Sequence, residues 1–70
     1  MELEFKTGDV LVMIGTNLKS KVRMASSGWR CYYLDHYDED GTLAIEYDEI
    51  SSDEVEREYV LVERDGGEDE

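Results

Sequence analysis

An Asp-Gly pair at residues 40 and 41 stands between two runs of β-forming residues, and that arrangement leaves the chain few folds. Downstream, Leu43, Ile45 and Tyr47 alternate with Thr42, Ala44, Glu46 and Asp48; upstream, residues 29–37 are dense in aromatics. Asp-Gly supplies the backbone freedom that a tight hairpin turn demands, and strict alternation marks a strand with one apolar face. A two-residue loop would pair Glu39 with Thr42, His36 with Ile45 and Leu34 with Tyr47. Tyr32, Leu34, His36, Leu43, Ile45 and Tyr47 then form the core face, which a one-residue slip would scramble.

Other strands follow from the same reading. Residues 10–14 are a continuous apolar run closed by Gly15-Thr16-Asn17, which suits a strand buried on both faces. Lys19 to Met24 alternates, placing Val22 and Met24 on one side, until Ala25-Ser26-Ser27-Gly28 interrupts it. The aromatic run from Trp29 to Tyr37 reads as the longest strand. Ser51 with Glu54 fits a capping pattern for a single helical turn, and Tyr59 to Val62 reads as a last strand. Residues 64–70 carry too little apolar content to order themselves and read as a frayed acidic tail.

The expected product is one all-β domain over residues 1–63: a small five-stranded barrel or strongly bent antiparallel sheet, with one helical turn before the last strand. Its opening Lys6-Thr7-Gly8-Asp9-Val10, the Asp40-Gly41 hairpin and the turn from Ser51 to Glu58 into Tyr59-Val60-Leu61-Val62 resemble the SH3-like small barrels, a group that includes KOW and Tudor-type domains. The resemblance implies a fold and carries no function with it.

Cysteine content bounds the chemistry. A lone Cys31, with His36 the one histidine, offers neither a disulfide nor a four-ligand zinc site, so the core folds unaided in a setting read as reducing and cytoplasmic. No run approaches the roughly 18 apolar residues of a membrane span, and a signal-peptide layout is lacking at the N-terminus. Cys31 and His36 lie five apart on one strand, on opposite faces and about 16 Å apart, so they make no catalytic dyad. Asp38-Glu39-Asp40-Gly41 lacks the later Glu of a calcium loop. The expectation is a protein without catalytic residues, metal or cofactor.

Charge is the strongest functional signal. Up to Tyr33 three acids (Glu2, Glu4, Asp9) face five bases (Lys6, Lys19, Lys21, Arg23, Arg30), a net of +2; beyond it sixteen acids face Arg57 and Arg64, a net of −14, and the two halves sum to −12. Such a field repels phosphate backbones and attracts basic protein surfaces. Lys19, Lys21, Arg23 and Arg30, interleaved with Trp29, Tyr32 and Tyr33, are parts of a stacking platform for nucleic acid, but the net charge opposes that use.

The sequence therefore points to a non-enzymatic module whose acidic face engages a basic protein, itself a nucleic-acid binder. In the sharp form it is a nucleic-acid mimic: carboxylates on Asp35, Asp38, Glu39, Asp40, Glu46, Asp48, Glu49, Asp53, Glu54, Glu56 and Glu58 stand in for phosphates. Trp29, Tyr33 and Tyr37, recurring every four residues on the wet face of the long strand, are the aromatic anchors. In composition and size the chain resembles small viral or mobile-element inhibitors of nucleic-acid enzymes. The alternative is an SH3-like adaptor that binds a peptide or nucleic acid through Trp29, Tyr32 and Tyr33, its acids serving solubility alone.

Overall fold

A computed structural model describes residues 3–64 of the chain. Five antiparallel strands, β1 (Val10–Met13), β2 (Lys19–Ser26), β3 (Cys31–Tyr37), β4 (Leu43–Ser51) and β5 (Tyr59–Glu63), form one sheet in the order β4-β3-β2-β1-β5. A helix, α1 (Ser52–Glu58), precedes the last strand. The sheet does not close: β4 and β5 remain its two edges, so the bent sheet is found and the barrel is not. Among the described residues no helix is long and apolar enough to cross a membrane.

The core sits on the inner face of the sheet. Phe5, Leu11, Val22, Tyr32, Leu34, Val55 and Tyr59 form it, with Leu3, Ala25 and Ile50 packed against its margin. Val55 enters from α1, whose start is fixed by the Ser51 hydroxyl accepting the Glu54 N–H at 3.3 Å, the contact that the Ser51/Glu54 spacing foretold. Glu56, on the same helix, accepts the Tyr32 hydroxyl at 2.6 Å and the Glu4 N–H at 2.9 Å, while that hydroxyl also accepts the Phe5 N–H at 3.0 Å. Burial, then the Glu56 carboxylate, pushes the Tyr32 phenol well above its ordinary value of 10.

Several expectations are corrected by bulges and by the open sheet. The hairpin loop has three residues: Asp38 N–H donates to Thr42 O at 2.8 Å, and Gly41, at φ 88°, donates back to Asp38 O. Pairing begins as Tyr37 with Leu43, meets the expected register at His36 and Ile45, then shifts so that Leu34 faces Asp48 rather than Tyr47. A bulge at Tyr47, which takes φ 59°, absorbs the difference. A second bulge in β2 leaves Arg23 without a partner in β3 and turns Met24 outward. Leu43, Ile45 and Tyr47 are exposed instead of core, because β4 is an edge strand and the bulge sets Tyr47 beside Arg23 and Tyr33. Only one side of β1 is buried, for the outer face of an open sheet has no cover. At nine residues β4, not β3, is the longest strand.

Of the expected tail, residues 65–70 lie outside the described residues. Arg64 is part of the folded unit: its guanidinium holds the buried Asp9 carboxylate through Nη2 at 2.9 Å and Nε at 3.1 Å, and Asp9 also accepts the Lys6 N–H.

Candidate functional site

Two of the predicted partner-binding acids are struts of the fold. Asp35 is only 6% exposed: it sits where the two bulges meet, accepting both Arg23 Nε (3.0 Å) and the Tyr47 N–H (3.1 Å). The wet face of β3 is covered at that point, and Asp35 satisfies the backbone group that the β4 bulge frees. Arg23 also reaches Glu46 at 3.0 Å and stacks 4.4 Å from the centre of the Tyr47 ring. Asp35 first, and then Tyr47, hold its guanidinium above its ordinary range. Glu56 is the second strut, tied to Tyr32 and Glu4.

The remaining acids are on the surface. Asp38, Glu39 and Asp40 project from the hairpin tip, where Asp40 accepts the Thr42 N–H; Glu49 lies on β4, and Asp53 and Glu54 on the first turn of α1. Among the described residues Asp38, Glu39, Asp40, Glu49, Asp53 and Glu54 pair with no base, whereas Glu46 is shared with Arg23 and Glu58 with Arg57.

The aromatic row is broken. Trp29 is 82% exposed, but it lies in the turn before β3 rather than on the strand, where its N–H donates to the Ser26 hydroxyl and Arg30 takes φ 56°. Tyr33 is half-buried and packs edge-on against Tyr47 at 6.1 Å. Tyr37 is half-buried over the hairpin base. Tyr32, which the adaptor alternative needs on the surface, is fully buried.

A trio that the sequence reading missed lies nearby. The Ser20 hydroxyl is 2.7 Å from His36 Nδ1, and His36 Nε2 is 2.9 Å from the Asp48 carboxylate. A neutral ring with its proton on Nε2 satisfies both contacts, donating to Asp48 and accepting from Ser20. The same residue types drive nucleophilic hydrolysis elsewhere. Here Ser20 is 3% exposed and its hydroxyl is engaged with His36. The signal that finds it is cross-strand pairing, since Ser20 and His36 stand directly opposite in β2 and β3. Cys31 is buried, and among the described residues no group of three or more His, Cys, Asp or Glu is placed to hold a metal.

Ser20, His36 and Asp48 line a groove of about 400 Å³ on the inner side of the sheet, between the β3–β4 hairpin, α1 and the ends of β1 and β5. Met13, Leu18, Ile45 and Ile50 supply its apolar wall; Asp38, Asp48 and Glu54 are its acids and Lys19 its base. Comparison with protein families, curated proteins and solved structures returns no match. The site must speak for itself.

Proposed function

We propose that this protein is a non-enzymatic binding module whose acidic half engages a basic protein surface, a nucleic-acid binder whose phosphate-contacting face it occupies as a mimic. The observation that carries the reading is the set of exposed carboxylates on the hairpin tip, β4 and α1 that pair with no base among the described residues. A folded protein of net charge −12 gains little in stability from such groups, and their field raises association rates with cationic surfaces. Asp35 and Glu56 leave the set of contact residues; Asp38, Glu39, Asp40, Glu49, Asp53 and Glu54 are its centre. A viral or mobile-element inhibitor of a nucleic-acid enzyme is the setting that suits this size and charge.

Immobilised protein, exposed to a cell lysate, tests it. Retained proteins should be basic nucleic-acid binders, released by salt and displaced by added duplex DNA, and the change of Asp38, Glu39 and Asp40 to Lys should slow their association. Indifference to salt, DNA and the triple change would leave the acids as a solvated coat.

The exposure of Trp29 supports a second reading, an adaptor using Trp29 and Tyr33 without Tyr32. It gives the opposite weighting: Trp29→Ala abolishes binding and the acidic change does little.

A further inference from the structure

Ile45 belongs to the apolar face of an amphipathic strand, yet it is 53% exposed, and Met13 and Leu18 across the groove from it are exposed as well. An apolar wall of this kind is an unfilled core position rather than a random surface residue. We propose that the groove is the anchor pocket of the interface: it receives one large aliphatic side chain, leucine, isoleucine or methionine, from a partner segment in which lysine or arginine flanks that side chain. The inference rests on the basic-partner reading above and names where that partner's affinity resides.

Three features fit this occupant. The volume, about 400 Å³, lies in the range of pockets that enclose small ligands and holds a leucine with its adjoining main chain. The polar floor is satisfied internally, Ser20 to His36 and His36 to Asp48, so an entering methyl group displaces water without orphaning a donor or acceptor. The acids of the rim, Asp38 and Glu54 against Lys19, complement positive charge on either side of the inserted residue. A second copy of this chain is a poor occupant. Its exposed apolar run, Val60 to Val62, is bracketed by Glu58 and Glu63, which this rim repels.

The test uses three short synthetic peptides and isotope-labelled protein, titrated by NMR at low salt: a Lys/Arg peptide with a central leucine, the same peptide with a central glycine, and a neutral peptide with a central leucine. The basic leucine peptide should bind roughly tenfold or more tighter than the glycine peptide, the factor expected from burying one leucine. Its shifts should concentrate at Met13, Leu18, Ile45 and Tyr59. Ile45→Ser, at an exposed position, should reduce it to the level of the glycine peptide; Leu18→Ser serves the same purpose if the first variant fails to fold. Equal binding of the two basic peptides, with shifts at the hairpin tip and α1 alone, would overturn the pocket and leave the charge reading standing. Neutral leucine peptide binding as tightly as the basic one would overturn the chosen partner chemistry. Failure of both basic peptides to bind would remove the basic-partner reading and the pocket with it.

Discussion

At the scale of single residues, the side chains that hold this fold together are buried polar groups tied to more than one element. Asp35 joins β2, β3 and β4 because each flanking bulge leaves something for its carboxylate to bind, the Arg23 guanidinium on one side and the Tyr47 amide on the other. Asp35→Ala strips the acceptor from a backbone donor that has no other partner in the ladder. We expect a loss of about 2–3 kcal/mol, read as a lower urea midpoint, with Asp35→Asn recovering part of it. An unchanged midpoint would show that water replaces the carboxylate freely. Tyr32 adds a pH dependence. Its phenol is held neutral above 10, the value it has when exposed, so above pH 10 the unfolded chain releases a proton that the native chain retains, and stability falls as pH rises. Tyr32→Phe should remove about 1–2 kcal/mol at neutral pH, chiefly from the unsatisfied Phe5 amide, and flatten the alkaline decline. Tyr59, whose phenol burial also raises, keeps that decline from vanishing. An alkaline slope identical in wild type and variant would contradict this account.

At the scale of elements, periodicity and turn chemistry located all five strands, the helix start at Ser51 and the hairpin, since alternation, aromatics and Asp-Gly are local signals. The hairpin register was legible at one pair, His36 with Ile45; the three-residue loop moves the pairing on one side of it and the bulge at Tyr47 moves it on the other. Nothing in Arg23 or Tyr47 marks it for an irregular backbone, for neither is glycine, and the side chain that stabilises both bulges, Asp35, reads like any polar residue on a wet face. The groove was half legible. Alternation places Ile45 on the apolar face, but its exposure depends on β1 ending at Met13 and on β4 being an edge, which are properties of the assembled sheet. The turn itself permits a clean comparison of two glycines. Gly41 lies at φ 88° with open space where a Cβ would stand, so the penalty for Gly41→Ala is purely conformational, about 1 kcal/mol. Gly28 has equally open space and no positive φ, so Gly28→Ala should be neutral or slightly stabilising, by roughly 0.4–1 kcal/mol. Thermal unfolding of the two variants side by side decides it: equal effects would mean that the hairpin turn does not require the left-handed residue at position 41.

At the scale of the whole molecule, charge acts on folding and on binding with opposite signs, and the two can be separated by salt. The acids of α1 and β4 crowd one half of a chain that carries −12 overall, and among the described residues only part of them meet a base. Their mutual repulsion destabilises the compact state most when it is least screened. Raising ionic strength from about 0.01 M to about 0.15 M shortens the screening length from roughly 30 Å to roughly 8 Å, so the melting temperature should climb over that interval. Glu49→Lys, at an exposed position without a basic partner among the described residues, should raise it at low salt, with the gain shrinking as salt is added. Attraction to a cationic partner should weaken across the same interval. The opposed trends guard the functional reading against a trivial cause, because binding lost while the fold becomes more stable is not lost through unfolding. A melting temperature that stays flat or falls with salt would mean that the carboxylates are compensated locally, and the acidic face would then project too little field to select a basic partner.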